Sequence, residues 1–303
     1  MVTMIDYQQE RIARVNGIDI NYDTFGNANN PPVLLIMGLA TQMIFWHRHF
    51  CEQLAARGFY VIRFDNRDIG KSSHLHHLPV PNLLSAVGQS LFGRTFEVPY
   101  MLEDMADDAL QLLKHLNIDK AHIVGASMGG MIAQLMAIKS PSSLHSLTSI
   151  MSTTGDRSLA KPKKQVMLQF IQPMPRDPEG YIKRVISMWK LLHGTHYDFE
   201  EPQMRDLISQ AYHRGYYPSG VVRQLSAILA APDRTAKLRQ LNVPSLVLHG
   251  EDDVLVPLPC GIATAEAIPN AKLVTYPGMG HTFPTQLWAP IIYEIDALAK
   301  MGT

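Results

Sequence analysis

The sequence has few cysteines and no excess of charge of either sign. Only two cysteines, Cys51 and Cys260, occur in 303 residues, and they lie far apart without a CxxC pair. This argues against a disulfide framework and against a structural zinc site. Lysine plus arginine and aspartate plus glutamate both number 27, so nothing favours a nucleic-acid or polyanion partner.

Long apolar runs and targeting segments are also lacking. The first residues, MVTMIDYQQERIARV, carry charges and no apolar core, so we expect no signal peptide. No apolar run is long enough to span a bilayer. We therefore expect a cytoplasmic protein without a membrane span, and the neutral charge balance favours a small, largely apolar ligand.

What the sequence does contain is the pattern of an α/β protein, with 46% hydrophobic residues to form a large core. Residues 11–25 form two strand-like runs joined by Asn16-Gly17, which predicts an antiparallel hairpin with a type I′ turn. The run VLLIM at 33–37 is typical of a strand covered on both faces. From there to about residue 151, strand-like and helix-like segments alternate, which predicts a mostly parallel sheet.

The alternation stops between about Ser152 and Val243, where three segments look helical and no convincing strand intervenes. It resumes with VPSLVLHG and AKLVTYPG and closes with a helix starting near Pro284. We predict a core formed by residues 1–152 and 243–303. Residues 153–242 are predicted to be a helical cap inserted over the carboxyl edge of the sheet, and the irregular segment 74–100 could reach over the same edge.

The stretch VGASMGG places the hydroxyl of Ser127 between two glycines. One interpretation is structural, because small residues let a buried strand turn tightly into a helix and a serine caps that helix. The other is catalytic, because the stretch matches G-x-S-x-G, the nucleophile elbow. Since Ser127 follows the strand AHIVGA and precedes a predicted helix, it lies where ligands bind in open α/β sheets. This location favours the catalytic interpretation.

A serine hydroxyl needs a base to remove its proton, and the base needs a carboxylate to orient it. Two downstream loops, LHGEDDVLVP and YPGMGHTFP, each follow a predicted strand. With these motifs the chain resembles the α/β-hydrolase family. GASMGG resembles the family's nucleophile elbow, HGEDDVLVP resembles its G-x-x-D-x-x-V-P acid loop, and GMGHTFP resembles its histidine loop. The segment RFDNRDIGKSS at 63–73 is similar to the family's D-x-R-G-x-G-x-S. The resemblance runs from about Asn16 to the final helix, apart from the helical insert.

By position, the resemblance implies that Ser127 is the nucleophile, His281 the base and Asp253 the acid. Asp252 is a rival for the acid, and Asp156 is a weaker one. These roles imply a cofactor-independent serine hydrolase that cleaves a carboxylic ester or related acyl bond through an acyl-enzyme. A serine nucleophile argues against the family's dehalogenases and epoxide hydrolases, which use an aspartate.

The resemblance also implies oxyanion donors at the backbone amides of Leu39 and Met128. The family normally has H-G-x after its third strand, whereas this chain reads Met37-Gly38-Leu39. Because the donor is a backbone N–H, Leu39 can still serve. Members that hydrolyse bulky polyketide-type methyl esters resemble this chain in IMG and NRDIGKSS, which favours esterase activity.

Methionines are frequent near the predicted site. Met37, Met43 and Met279, together with Gly38 and Trp189, are predicted to line the substrate pocket, although methionines equally suit core packing.

No metal and no cofactor is predicted. The histidines of HLHHLP at 74–79 lack the carboxylate spacing of a metal site and are interpreted as a solvated loop. Two other uses of the Ser127 site stay open: a non-hydrolytic or perhydrolase- or haloperoxidase-like reaction, and a receptor-like protein that binds a ligand and turns it over slowly. The sequence does not predict an oligomeric state.

Overall fold

The computed structural model describes residues 5–301, except 93, 95, 173 and 176 and the side chains of residues 91, 170 and 171. Eight strands lie in the described part of the chain: Tyr7–Val15 (β1), Ile18–Phe25 (β2), Pro32–Ile36 (β3), Tyr60–Phe64 (β4), Ala121–Ala126 (β5), Leu144–Ile150 (β6), Ser245–Gly250 (β7) and Lys272–Tyr276 (β8). The helices are Arg48–Ala55 (α1), Leu83–Leu91 (α2), Leu102–His115 (α3), Met128–Lys139 (α4), Lys164–Ile171 (α5), Pro178–Leu192 (α6), Glu201–Gly215 (α7), Pro218–Ala230 (α8), Thr235–Leu238 (α9), Leu258–Ala267 (α10) and Trp288–Met301 (α11).

The eight strands form one sheet in the order β1-β2-β4-β3-β5-β6-β7-β8. β2 pairs antiparallel with both β1 and β4, and every later pairing is parallel. The predicted α/β fold, a mostly parallel sheet with an N-terminal antiparallel hairpin, is confirmed. In the hairpin, Asn16 and Gly17 have φ angles of 50° and 77°, and these are the positive values that a type I′ turn requires.

Both faces of the sheet are covered, which explains why β3 is apolar throughout. Leu34 and Ile36 belong to the core cluster that contains helices α3 and α4. Val33 and Leu35 belong to the cluster on the other face, with α1 and α11. Side chains of a strand alternate between the two faces of its sheet, so a strand buried on both faces has no polar position.

Helices α5 to α9 all lie between β6 and β7, in residues 153–242, which we call the insert. The three helical segments predicted there correspond to α6, α7 and α8, while α5 and the short α9 were not predicted. Helices α6 and α7 form a small apolar cluster of their own around Ile182, Ile186 and Ile208. The segment 74–100, interpreted as irregular, contains helix α2. The division of the chain into a core and a separate cap stays a prediction.

Two buried ion pairs join the insert to the loop after β4. Arg223 of α8 makes a bidentate pair with Asp68, at 2.8 and 2.9 Å. Arg214 of α7 pairs with Asp65 and also donates to the side chain of Gln42. All four charged side chains are at least nine-tenths buried. Because removing one partner would leave a buried charge uncompensated, these pairs fix the insert against the sheet.

Both cysteines, Cys51 and Cys260, are free and buried.

Candidate active site

Ser127 occupies a strained turn between β5 and α4. Its φ and ψ angles are 56° and −119°, which are uncommon for a residue with a side chain and are typical of the nucleophile elbow. A Cβ on Gly125 would come within 2.1 Å of the Gly129 carbonyl oxygen, and a Cβ on Gly129 within 2.1 Å of the Ile36 carbonyl oxygen. The two glycines are therefore required by the close approach of backbone to backbone, which lets the turn form.

Hydrogen bonds to the ends of neighbouring strands hold this turn. The Ser127 amide donates to the Ile150 carbonyl at 2.9 Å, and the Ser152 hydroxyl donates to the Ser127 carbonyl at 2.8 Å. The side chain of Ser127 stays half-buried. Hydrogen bonds to the Ser127 backbone thus hold the strained turn, and the Ser127 hydroxyl takes no part in them.

A chain of hydrogen bonds connects three side chains at this edge. His281 Nδ1 lies 2.7 Å from Asp253 Oδ2, and His281 Nε2 lies 2.9 Å from Ser127 Oγ. Because a carboxylate only accepts, the proton is assigned to Nδ1, and Nε2 then accepts from the serine hydroxyl. The structure therefore brings together Ser127, His281 and Asp253, which are up to 154 residues apart in sequence.

The two other candidate acids are placed elsewhere. Asp252 is hydrogen-bonded through its carboxylate to the Thr195 hydroxyl. Asp156 accepts from the Ser158 amide at 2.8 Å. Asp253, in contrast, is 5% exposed, and its second oxygen, Oδ1, accepts from two backbone amides of its own loop, Leu255 and Val256, at 2.9 and 2.8 Å.

A second histidine, His249, lies next to Asp253 and was not singled out from the sequence. It is fully buried at the end of β7, with Nε2 2.7 Å from the Val256 carbonyl and 3.6 Å from Asp253 Oδ2. Burial lowers the pKa of His249, so the ring is neutral near pH 7. Since Val256 O can only accept, Nε2 carries the proton. The ring thus ties the loop that positions Asp253 to the sheet.

The histidine loop is held by the end of helix α6 in a short antiparallel contact. The His281 amide donates to the Leu192 carbonyl at 2.6 Å, the Gly280 amide to the His193 carbonyl at 3.0 Å, and the Thr195 amide to the carbonyl of Gly278 at 3.1 Å. We call this contact between residues 192–195 and 278–281 the histidine-loop seam. The inserted helices therefore help to position His281.

Glycines make the histidine-loop seam possible. Gly194 has a φ of +94°, and a Cβ there would lie 2.3 Å from the Gly278 carbonyl oxygen. A Cβ on Gly280 would lie 2.1 Å from the Leu192 carbonyl oxygen. The His193 ring adds a side-chain contact, with Nδ1 3.0 Å from the Thr282 hydroxyl. No local sequence signal identifies this pairing, because its two halves are distant in sequence.

The backbone after β3 lies against the serine. A Cβ on Gly38 would be 3.1 Å from Ser127 Cβ and 3.6 Å from Ser127 Oγ, so a larger residue would crowd the hydroxyl. Among the described residues, the amides of Leu39 and Met128 donate no hydrogen bond. The Met128 amide also belongs to the first turn of α4, where unpaired N–H groups and the helix dipole favour negative charge.

This loop is fixed without the histidine that the family usually has there. Asn66 donates to the Met37 carbonyl at 3.0 Å. The Ala40 amide donates to the buried side chain of Gln224, in α8, at 3.2 Å. The loop that carries Leu39 is therefore held by one residue of the β4 loop and one residue of the insert.

The other predicted pocket residues lie in packed surroundings. Met37 and Met279 are 5% and 0% exposed and belong to the core cluster that contains α1 and α11. Met43 is buried, and its amide donates to Asp65. Trp189 of α6 stacks on Phe45, with ring centroids 5.4 Å apart. Their role in substrate binding stays a prediction.

The histidines at 74–77 lie close to the insert. Within the described residues there is no group of three or more His, Cys, Asp or Glu side chains that could hold a metal ion. His74 stacks on Tyr217, at the start of α8, with ring centroids 4.3 Å apart, and His76 lies 3.0 Å from the Tyr217 hydroxyl. The first two histidines thus contact the insert and are not simply solvated.

The described residues also contain no helix that is long and apolar enough to cross a membrane.

A family model described as the alpha/beta hydrolase fold matches residues 31–284. The chain is a member of the alpha/beta hydrolase fold family. It is similar to the rhodomycin D methylesterase DauP of Streptomyces sp. strain C5, at 29% identity over 304 residues that cover 92% of this chain and 94% of that protein. It is also similar to the putative carbamate hydrolase RutD of Variovorax paradoxus strain S110, at 25% identity over 86% of this chain and 89% of that protein.

A solved structure shows the same fold at lower identity. The enol-lactonase of Burkholderia xenovorans LB400 matches 96% of this hydrolase-family chain and 100% of its own, with a TM-score of 0.73 and 20% identity. The names of these three proteins describe different bonds, so family membership gives the fold of this chain but not its reaction or its substrate.

Proposed function

We propose that this alpha/beta hydrolase cleaves carboxylic esters through an acyl-enzyme on Ser127. The observation that carries the proposal is the hydrogen-bond chain from Ser127 Oγ through His281 to Asp253, at 2.9 and 2.7 Å. This chain supplies the nucleophile, the base and the group that orients the base.

In the first half of the reaction Ser127 Oγ attacks the ester carbonyl carbon while His281 Nε2 takes the serine proton. Asp253 stabilises the imidazolium that forms. The carbonyl oxygen gains negative charge and is bound by the amides of Leu39 and Met128. His281 then gives its proton to the departing alcohol, and the acyl group stays on the serine.

In the second half a water molecule replaces the alcohol. His281 Nε2 takes one proton from the water, the resulting hydroxide attacks the acyl carbon, and the same proton returns to Ser127 Oγ as the carboxylic acid leaves. Removing a general base typically slows such a reaction by about 10² to 10⁴, and each lost oxyanion donor costs roughly 3 kcal/mol.

The proposed substrate is an ester of a bulky, largely apolar acid with a small alcohol such as methanol. The balanced charge of the chain and the methionines and Trp189 that the sequence predicts to line the pocket support an uncharged substrate. The similarity to a protein named as a methylesterase supports a small leaving alcohol.

The test is a panel of p-nitrophenyl esters of increasing acyl length and methyl esters of polycyclic aromatic acids. We expect wild-type protein to hydrolyse members of both series and Ser127→Ala to lose activity on the order of 10⁴-fold or more. Ser142→Ala is the matched control, because Ser142 is exposed and lies on the loop between α4 and β6. Absence of hydrolysis by folded wild-type protein, or near-normal turnover by Ser127→Ala, would contradict the proposal.

A further inference from the structure

Exposed apolar side chains are concentrated on two segments of the chain. Nine large apolar side chains are exposed within the described residues, and five of them lie in or next to α2 and α5. These five are Val80, Leu84, Phe92, Met167 and Leu168, with exposures of 52%, 76%, 83%, 40% and 57%. Apolar clusters of this kind on a protein surface mark interaction sites.

Contacts from Arg157 connect the two segments. Its guanidinium donates to the Ser90 carbonyl of α2 at 3.2 Å and to the Leu229 carbonyl of α8 at 3.4 Å. The Ser90 hydroxyl donates to the same Leu229 carbonyl at 3.2 Å. Arg157, which precedes α5 in sequence, therefore lies beside the end of α2, and we call the exposed residues of 78–92 and 157–168 the rim surface.

The charges on these segments all have one sign. Residues 78–94 contain a single charged residue, Arg94, and residues 157–171 contain four cations and no acidic residue. Lys161, Lys163 and Lys164 are exposed, and none of them forms an ion pair within the part of the chain that the structure describes. In a chain with equal numbers of acidic and basic residues, the rim surface is a local excess of positive charge beside apolar side chains.

The rim surface adjoins the loop that carries the acid. The Lys163 amide donates to the Val254 carbonyl at 3.0 Å, and Val254 follows Asp253 directly. Ala160 accepts from the thiol of Cys260, which lies in the first turn of α10, the helix after that loop. The rim surface thus lies at the carboxyl edge of the sheet, on the same side as Ser127.

We propose that the rim surface docks on an anionic lipid bilayer. Apolar side chains enter the boundary between headgroups and acyl chains, while lysines beside them pair with anionic headgroups. The rim surface combines these two features: residues 78–93 are uncharged and expose apolar side chains, and residues 157–164 carry the cations. Docking here would place the site next to the phase into which an apolar ester partitions. The proposal rests on the surface alone and does not depend on the proposed hydrolysis.

The experiment is flotation of the full-length protein with vesicles of phosphatidylcholine alone or mixed equally with phosphatidylglycerol. We expect binding to the anionic vesicles that is lost in high salt, because salt screens exposed charges. Three lysines near an anionic surface account for a roughly hundredfold change in binding. The triple variant Lys161→Gln, Lys163→Gln, Lys164→Gln is therefore expected to bind about a hundredfold more weakly.

Matched variants separate this surface from general effects of charge and apolar exposure. The charge control replaces three exposed lysines elsewhere on the chain: Lys114→Gln, Lys120→Gln and Lys237→Gln. The apolar pair is Leu84→Ser with Phe92→Ser, and its control is Ile12→Ser with Tyr293→Ser, since these two side chains are 63% and 60% exposed on β1 and α11. We expect both rim variants to lose vesicle binding and both controls to keep it, with hydrolysis of a water-soluble ester unchanged in all of them.

Two results would overturn the proposal. One is wild-type protein that does not float with anionic vesicles. This result would also overturn the proposal if the rim variants broke up a dimer of this chain, because the rim surface would then be a contact between two copies. The other is vesicle binding that the rim variants and the controls reduce equally. Ester hydrolysis is measured separately, so a failure of the proposed reaction is not mistaken for either result.

Discussion

At the scale of single residues, adjacent carboxylates in one loop have different partners. Asp253 is buried and accepts from His281 and from two amides of its own loop, whereas Asp252 is bonded to the Thr195 hydroxyl. We therefore expect Asp253→Asn to lower kcat by about 10⁴, because an amide no longer holds the imidazole in the correct tautomer. Steady-state kinetics of an activated ester measures the loss.

Asp252→Asn is the matched control for this prediction, since it makes the same change one residue away. We expect it to leave kcat within a fewfold of the wild-type value. If Asp252→Asn lost as much activity as Asp253→Asn, the assignment of the acid would be wrong.

The sequence predicted the residues that belong to local motifs and missed those that act across the fold. Ser127 and His281 were assigned from short stretches with recognisable spacing. Gln224 could not be assigned in this way, because it holds the Leu39 loop from 184 residues away. His193 was missed for the same reason, since only the folded chain places it beside Thr282.

At the scale of elements, the end of α6 and the histidine loop act as one unit through the histidine-loop seam. A Cβ on Gly194 would lie 2.3 Å from the Gly278 carbonyl oxygen, so Gly194→Ala must push the two strands of the seam apart. A displacement of about 1 Å in a catalytic group can cost on the order of 10²-fold in rate. We expect Gly194→Ala to lower kcat at least tenfold with a smaller change in KM, measured on the same ester.

Gly88→Ala is the control, because a Cβ on Gly88 of α2 meets nothing within 4 Å. His193→Asn provides a second test if Gly194→Ala folds poorly, since it keeps a polar side chain beside Thr282. Wild-type kcat in folded Gly194→Ala would show that the seam does not position His281.

The elements themselves were predicted where apolar periodicity decides them. The strand Ala121–Ala126 has the bounds expected from the sequence, and Glu201–Gly215 is one of the three helices predicted in the insert. Helix α2 was missed because its sequence, LLSAVGQSL, contains a glycine and two serines, which favour helix weakly. Its conformation depends on the cap at Asn82, which accepts from the Ser85 amide, and on packing against α8.

At the scale of the whole molecule, the buried pairs Arg214–Asp65 and Arg223–Asp68 connect the insert to the sheet. The sequence indicated that helices interrupt the strand pattern. It did not indicate how they attach, because each pair joins residues about 150 positions apart. The arrangement of the inserted helices is therefore a property of the complete fold.

The stability of the molecule is expected to depend on a buried histidine far from the site. Burial lowers the pKa of His122, in β5, to about 4, and His145 acts in the same direction. In the unfolded chain a histidine titrates near pH 6.5, so between about pH 6.5 and 4 the unfolded state binds more protons at this position. This contribution to the free energy of unfolding is complete above pH 6.5 and is lost as the pH falls towards 4, by up to about 1.4 kcal/mol per pH unit.

Urea unfolding at a series of pH values checks this dependence. His122→Gln, which cannot titrate, is expected to lose less stability than the wild type over the same range, although its stability near pH 7 is lower because the contact with Ser146 changes. An equally steep loss in His122→Gln would assign the effect to other groups.

The central claim is that Ser127 is an activated nucleophile, and intact mass after incubation with a fluorophosphonate tests it most directly. The account predicts one phosphonyl adduct per wild-type chain and none on Ser127→Ala, with both proteins folded by circular dichroism. Folded wild-type protein that gains no adduct, or an adduct that persists in Ser127→Ala, would contradict it.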